Sequence, residues 1–437
     1  MADNTPIPSL TDPAVQLCPY AAYARLRDEA PVYKEPDTGN WVITRYEDVR
    51  AVASDWEKFS SVTNQFSPSR EGVPGQKEVA RMFQEAGYQP EQNALIHADP
   101  PVHRLHRAAI STAFSIPRIR AIEPYITQVV DELIDRFDDK GQIEFMSEFA
   151  VPLPMRVISD QLGVPTTMNE QFKRWSDSLL IAANIGNTAE VQIEAARNIL
   201  EMREFLLAQI DALIAEPSAR PKQGLGHRQA EIDALIVQSR AGILRDIATS
   251  KGEDGELLPL GQRLAIAMGV LVAGNETTTT TLGSAMRRMI EENLEQRLRA
   301  DPDLIPNFIE ECLRLDAPLQ ALVRKATQDV EMHGQTIKKN DIVFLRWAAG
   351  NRDERHYACP EKLDLQRDSP RTHLSFGHSI HMCPGRDLAR AEMRIAFERL
   401  LTRLKNFRLG TEPDAITYRP AYHAYGPNKI MLHFEQA

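Results

Sequence analysis

The chain carries one cysteine whose surroundings suit a metal-binding thiolate. Cys383 lies in the segment 376–385, which reads FGHSIHMCPG, and a long amphipathic helical pattern follows it directly. Glycines on both sides let the backbone turn tightly and approach a flat ligand closely. The N-terminus of the following helix favours the thiolate and offers backbone N–H groups to the sulfur. A single thiolate, with no second cysteine or paired histidine nearby, suits the axial position of a haem iron better than zinc or an iron–sulfur cluster.

This segment resembles the haem-binding loop of the cytochrome P450 family, whose usual form is Phe-Gly-x-Gly-x-His-x-Cys-x-Gly. The residues that match are Phe376, Gly377, His381, Cys383 and Gly385. Ser379 stands where the family usually has glycine, and Pro384 stands where it often has leucine or isoleucine. The resemblance implies that Cys383 ligates the iron of haem b and that Phe376, His381 and Gly385 contribute to the cofactor site. A buried, unreactive cysteine before a helix is the alternative.

A second motif lies inside a helical pattern that runs from Leu260 to Ile290. Its centre, 273–281, reads AGNETTTTT, which is a poor helix interior because glycine costs about 1 kcal/mol and threonine hydroxyls compete for backbone carbonyls. We therefore expect a local widening of the helix. The segment resembles the family's oxygen-binding motif, which implies that Thr277 hydrogen-bonds dioxygen and Glu276 relays protons as the catalytic pair. A helix with a solvated glutamate and exposed threonines is the alternative.

Glu311 and Arg314 lie three residues apart in the helical pattern 307–315, where their charges can pair on one face. An ordinary surface ion pair would contribute little. The pair resembles the family's Glu-x-x-Arg motif, which implies a structural role in tying the core to the segment before the cysteine. Asn351, Pro360 and Asp364 resemble the family's lead-in to that segment and are expected to supply partners for the pair.

A buried haem carries two propionates and needs cations or hydrogen-bond donors near them. His103 and Arg107 are four residues apart and follow Asp-Pro-Pro-Val, as in the family pattern Asp-Pro-Pro-x-His-x-x-x-Arg. Arg324 and His381 match the other usual propionate contacts. The resemblance implies that these four side chains bind the cofactor, and solvated surface charges are the alternative for each.

Apolar residues on two segments are candidates for the wall of a substrate pocket, although they fit a plain core equally well. They are Met268, Val272, Ala273, Ala321, Leu322 and Val323. No glycine-rich nucleotide fingerprint of a reductase appears, so electrons are expected from a separate ferredoxin or flavodoxin-type donor with its reductase. Arg386, Arg390 and Arg394 recur on the helix after the cysteine and predict a basic docking surface for an acidic ferredoxin.

The remaining pattern predicts a mainly α fold with small β-sheets, the cytochrome P450 fold, as a single large domain spanning 1–437. We expect Asp99 to cap a helix with Pro100 at its first position and Pro117 to end that helix. The stretch 63–99 loses its periodicity amid Pro, Gly, Ser and Gln, which predicts a long irregular segment.

Composition restricts the class of protein. The 437 residues are 43% hydrophobic and 26% charged, so the chain can bury a substantial core and stay soluble. A net charge of −10 and the absence of a basic tail argue against nucleic acid and anionic membranes as partners. The apolar run 264–274 is shorter than the ~20 residues that a membrane span needs. No signal peptide is evident, and four scattered cysteines fit a reducing cytoplasm.

The sequence therefore predicts a soluble, bacterial-type cytochrome P450. The resemblance implies a monooxygenase that uses dioxygen, two electrons and two protons to hydroxylate or oxidatively dealkylate a small-to-medium apolar molecule. A peroxide-driven peroxygenase on the same fold and a non-catalytic haem–thiolate sensor are the alternatives. The peroxygenase is disfavoured because both Glu276 and Thr277 are kept, and the sensor has no need of that pair.

Overall fold

A computed structural model describes residues 7–63, 72–88, 94–163, 165, 168–183, 187–215, 242–418 and 420–437. The chain divides into two compact units. The first comprises Met1–Ser61, Val130–Leu153 and Thr277–Ala437, and the second comprises Val62–Val129 and Pro154–Glu276.

Helices account for more than half of the described residues. The α-helices are Pro13–Leu17, Tyr20–Glu29, Tyr46–Ser54, Gln76–Glu85, Val102–Ser111, Ile116–Ile134, Pro152–Gln161, Asn169–Ala183, Ala189–Ala215, Gly242–Ala248, Leu260–Glu291, Glu295–Ala300, Ile305–Leu315, Trp347–Gly350 and Arg386–Arg403. Short 3₁₀ segments are Leu95–His97, Pro302–Leu304, Pro370–Thr372, Leu374–Phe376 and Ser379–His381, and Met146–Ala150 forms a π-helical turn. The predicted mainly α fold is confirmed.

Within the described residues the strands form three small sheets, all in the first unit. They are β1 Val32–Lys34, β2 Trp41–Ile43, β3 Phe59–Ser60, β4 Gln142–Glu144, β5 Leu322–Ala326, β6 Val330–Met332, β7 Gln335–Ile337, β8 Ile342–Leu345, β9 Leu404–Leu409, β10 Ile416–Tyr418 and β11 Pro427–Gln436. One sheet has the order β1-β2-β8-β5-β3, the second joins β10, β11, β4 and β9, and β6 pairs with β7. Antiparallel pairing of β5 with β8 sets Arg324 opposite Val343 and so fixes the position of that arginine.

Each unit has its own apolar core. In the first unit the five-stranded sheet buries Trp41, Ile43 and Leu345 against the helix Tyr46–Ser54. In the second unit helices pack against helices, and their core includes Phe172 and Trp175. None of the described helices is both long and apolar enough to cross a membrane.

Three local predictions differ from the structure. The helix that follows Asp99 begins at Val102, with Pro101 rather than Asp99 at the N-cap. Pro117 is the second residue of the helix Ile116–Ile134, because proline is tolerated in a first turn where no N–H donor is needed. The stretch expected to be irregular contains the helix Gln76–Glu85, which buries Val79 and Phe83 at a spacing of four.

Candidate active site

The cysteine loop, defined here as residues 376–385, is closed by its own backbone. The Cys383 N–H donates to the Phe376 carbonyl oxygen at 2.8 Å, and the Met382 N–H donates to the Ser379 oxygen at 3.0 Å. Gly377 has φ 72° and ψ −166°, a region that is essentially restricted to glycine. Gly385 is the N-cap of the helix Arg386–Arg403, so the Cys383 thiol lies just before the positive end of an 18-residue helix.

The segment that enters the loop is held by a buried polar cluster, which we call the Glu310 cluster: Glu310, His373 and Arg390. The Arg390 Nε and Nη2 donate to the two Glu310 carboxylate oxygens at 2.6 and 2.9 Å, and His373 Nε2 lies 3.0 Å from Glu310 Oε2. Burial alone would raise the pKa of Glu310, but hydrogen bonds from His373 and Arg390 outweigh it and bring the pKa to about 2. The carboxylate is therefore charged throughout the neutral range.

Two further side chains fix the backbone before the loop. Asn351 accepts a hydrogen bond from the Leu374 N–H at 2.6 Å and donates to Ser375 Oγ at 2.8 Å. Ser375 Oγ in turn donates to the Leu313 carbonyl oxygen at 2.6 Å. The entry to the loop is thus fastened to the helix Ile305–Leu315 by side-chain bonds as well as by packing.

Glu311 and Arg314 form a bidentate ion pair with both side chains fully buried, at 2.7 and 2.9 Å. Arg314 also donates to the carbonyl oxygens of Asn351, Pro360 and Lys362. The Asp364 N–H donates to Glu311 at 3.0 Å. The expected partners of the pair, Asn351, Pro360 and Asp364, are therefore in contact with it.

The four predicted propionate contacts fall in both units. In the first unit, Arg324 is buried on β5 and donates to the Val323 carbonyl oxygen at 2.8 Å, and His381 Nε2 lies 2.9 Å from Ser61 Oγ. In the second unit, His103 is buried on the helix Val102–Ser111 and Arg107 lies half-buried one turn later. Arg107 and His103 therefore share one helix face, as the spacing predicts.

The long helix Leu260–Glu291 is α-helical over its whole length, so the predicted widening at 273–281 is wrong. Backbone competition is nevertheless present, because Thr281 Oγ1 donates to the Thr277 carbonyl oxygen at 2.8 Å. Glu276 and Thr277 are both half-buried, and Ala273, one turn earlier, is exposed.

The six candidate pocket residues divide into two sets. Met268, Ala321 and Val323 are buried, and Met268 packs in the helical core of the second unit. Val272, Ala273 and Leu322 keep part of their surface exposed. Burial favours the plain-core interpretation for the first set, exposure favours a pocket wall for the second, and the pocket assignment of all six stays a prediction.

One of the three arginines of the predicted basic docking surface turns away from solvent. Arg390 turns inward to Glu310, and its side chain is only 18% exposed. Arg386 lies 3.7 Å from Asp387, and Arg394 pairs with Glu398 at 3.1 Å. Each cation therefore has an acidic neighbour, which reduces the positive field that the three arginines were expected to present.

Comparison with known proteins identifies the family. The family model for cytochrome P450 matches residues 69–419, most of the chain. The chain belongs to the cytochrome P450 family. It is 33% identical to the putative cytochrome P450 YjiB of Bacillus subtilis, over 88% of this chain and 87% of that protein. It is 32% identical to the vitamin D(3) 25-hydroxylase of Pseudonocardia autotrophica, over 95% and 93%.

The fold agrees with solved P450 structures. Cytochrome P450 CYP109Q5 from Chondromyces apiculatus superposes with a TM-score of 0.80 at 29% identity, covering 98% of both chains. The protein is thus a haem-dependent P450 oxidoreductase of the monooxygenase class. The motifs in the sequence and the fold point to the same class.

The residues of this P450 suit its haem. Cys383 is a half-buried cysteine outside any disulfide and can supply the single thiolate that an axial ligand requires. A Cβ added to Gly377 would lie 3.4 Å from the His381 carbonyl oxygen, so the loop is compact where it turns. On the otherwise largely buried centre of the long helix, the exposed residues are the small Gly269 and Ala273, which leave room for a flat ligand.

Sequence reasoning missed several residues that support the loop: Glu310, His373, Ser375 and Ser61. Glu310 was not predicted because the adjacent Glu311 is the residue that matches the Glu-x-x-Arg motif. The signal available in the sequence was a second acidic residue beside Glu311 in a largely apolar helical pattern, and the structure buries every residue from 308 to 315. The bond between Ser61 and His381 depends on tertiary structure and has no local signal.

Proposed function

We propose that this P450 hydroxylates or oxidatively dealkylates a small-to-medium apolar substrate, with electrons from a separate ferredoxin or flavodoxin-type donor. The observation that carries the proposal is the Cys383 thiol, placed at a helix N-terminus on a loop closed by the Phe376–Cys383 hydrogen bond. Haem b, when bound, supplies the activation of dioxygen. We place the protein in the cytoplasm and the whole of 1–437 in one domain.

The residues of the proposed cofactor site have separate roles. Cys383 would hold the haem iron through its sulfur, and the helix N-terminus that follows it favours the anionic form of that sulfur. The two propionates would be neutralised and hydrogen-bonded by His103, Arg107, Arg324 and His381.

Glu276 and Thr277 move protons. With the cofactor bound, the half-buried carboxylate of Glu276 would exchange protons with water, and the neighbouring Thr277 hydroxyl would hold a proton beside the cofactor site. The exposed Ala273, one turn earlier, leaves space beside them. Val272, Ala273 and Leu322 supply apolar surface for the substrate, which favours a molecule without charge near its reacting carbon.

The ligand assignment is tested by spectroscopy of the reduced carbon monoxide complex. The wild type should give the Soret band of a thiolate-ligated haem, and Cys383→Ser should lose it. Cys359→Ser is the matched control, because Cys359 is exposed and should leave the spectrum unchanged. A histidine-type spectrum in the wild type would overturn the proposal.

The reaction is tested by comparing the consumption of reductant with the yield of product. Thr277→Ala should consume reductant without a matching yield of product, whereas Thr277→Ser should restore the yield because it keeps the hydroxyl. Substrates are first found by screening apolar compounds for displacement of iron-bound water, read from the Soret band. Product formed with peroxide alone at the rate of the complete system would favour the peroxygenase, and binding without any product would favour the sensor.

A further inference from the structure

We infer that Arg390 is a positioning residue for the haem ligand: it holds Phe376, and through it the cysteine loop, in the geometry that presents the Cys383 sulfur. The inference rests on the proposed role of Cys383 as the iron ligand. It replaces the prediction that Arg390 belongs to a docking surface for the electron donor.

The Arg390 side chain is anchored at one end by a buried acid. Glu310 is 2% exposed and accepts both hydrogen bonds of the Arg390 Nε–Nη2 edge, while Asp387 lies 3.3 Å from Nη1. A bidentate pair of this kind fixes the plane of the guanidinium as well as its position. His373, also buried, shares the same carboxylate, so the acid cannot turn away without losing a second partner.

The fixed guanidinium lies over the first residue of the cysteine loop. The Arg390 Cζ is 4.8 Å from the centre of the Phe376 ring, within the range of a cation–π contact. His373 packs on the same ring, with centroids 5.6 Å apart. Phe376 is therefore held by two members of the Glu310 cluster, and its ring cannot rotate freely.

Phe376 transmits this constraint to the ligand. Its carbonyl oxygen accepts the hydrogen bond of the Cys383 N–H at 2.8 Å, which closes the loop at the residue that carries the sulfur. Between these two residues Ser379 has φ 58°, a left-handed backbone conformation that costs a serine energy, so the turn is not held by local preference alone. A loop in such a conformation depends on contacts from residues outside it. The series of contacts from Glu310 through Arg390 and Phe376 to Cys383 provides them.

The chemistry of arginine is needed at this position. Lysine would keep the positive charge but would lose the bidentate edge and the planar stacking on Phe376. Loss of one buried, charge-assisted contact typically changes an equilibrium by roughly tenfold or more. We therefore expect Arg390→Gln to increase the rate of haem loss by roughly tenfold and Arg390→Lys to give a smaller increase in the same direction.

The test compares Arg390→Gln with Arg394→Gln, the arginine one turn later on the same helix, whose partner Glu398 is on the surface. Both holoproteins are measured for haem transfer to apomyoglobin, for the fraction of thiolate-type carbon monoxide complex, and for hydrogen exchange at the Cys383 amide. We expect Arg390→Gln alone to lose haem faster, to lower that fraction and to exchange faster. A role confined to global stability would lower the unfolding midpoint and leave these three readouts unchanged at temperatures where the variant is folded.

Reduction by the electron donor separates positioning from docking. If Arg390 were a docking residue, Arg390→Gln would slow reduction and weaken its salt dependence while haem retention stayed normal, and the inference would be overturned. If Arg390→Gln does not fold, Arg390→Lys is measured in its place. Equal behaviour of the Arg390 and Arg394 variants would also refute the inference, whereas a wild type that lacks the thiolate spectrum would refute the proposed function itself.

Discussion

The most demanding prediction concerns Glu311→Ala. The substitution leaves Arg314 fully buried without its carboxylate and removes the acceptor of the Asp364 N–H and the Arg367 Nε. Burial raises the pKa of Glu311, but the bonds from Arg314 and its other donors lower it overall, so the lost group is a charged one. Breaking one side of a buried ion pair costs about 3–5 kcal/mol, which corresponds to roughly a 10²- to 10⁴-fold change in the folding equilibrium. That is a large share of the about 5–15 kcal/mol that holds a typical protein folded.

The assay is urea unfolding followed by circular dichroism, with haem absorbance as a second probe. Glu194→Ala is the matched control, since Glu194 and Arg197 have the same spacing and a similar distance of 2.9 Å but are 60% and 64% exposed. We expect the control to lose less than about 1 kcal/mol. A loss of similar size in both variants would refute the reasoning, because burial would then not be the source of the penalty.

Three other outcomes are expected. Ser379→Gly should raise the free energy of unfolding, measured by urea titration, by about 0.5–1 kcal/mol. Ser379 has φ 58°, and a left-handed backbone costs a serine ~1–2 kcal/mol, but glycine also loses more conformational entropy on folding, which offsets part of the gain. A loss of stability would show that the serine hydroxyl matters more than the backbone conformation. Glu310 has a folded pKa of about 2, below its usual 4.5, so its stabilisation of about 3 kcal/mol is complete above pH 4.5 and is lost as the pH falls towards 2. Glu310→Gln should therefore show a flatter acid-unfolding profile in that window, and an unchanged profile would contradict the assigned pKa. Pro384→Leu restores an N–H beside the sulfur and should raise the reduction potential in a spectroelectrochemical titration, so an equal or lower potential would count against this account.

Much of the fold could be predicted from local pattern. The helix Leu260–Glu291 was expected to end at Ile290, because its apolar spacing persists for many turns and outweighs the weak helix formers at its centre. The same persistence explains why the predicted widening is absent. The pairing of Glu311 with Arg314 was also predictable, since a spacing of three places both on one helix face.

What could not be predicted depends on contacts distant in sequence. Arg390 lies in a regular series with Arg386 and Arg394, and no local feature distinguishes it from them. Its inward turn follows from Glu310, which lies 80 residues earlier in the chain. The helix Gln76–Glu85 was missed because Val79 and Phe83 are a short apolar pattern inside a stretch dominated by turn-forming residues.

The bonds made by Arg314 have a consequence for how this protein can diverge. Its guanidinium reaches the segment that leads to the cysteine through the carbonyl oxygens of residues 351, 360 and 362, and not through their side chains. Every amino acid offers such an oxygen. The bonds from Arg314 therefore tolerate replacement of the side chains at positions 360 and 362 while they still require the arginine, whereas Asn351 is also needed for the bonds of its own side chain. Substitutions should accumulate at 360 and 362 before they reach Arg314 or Asn351.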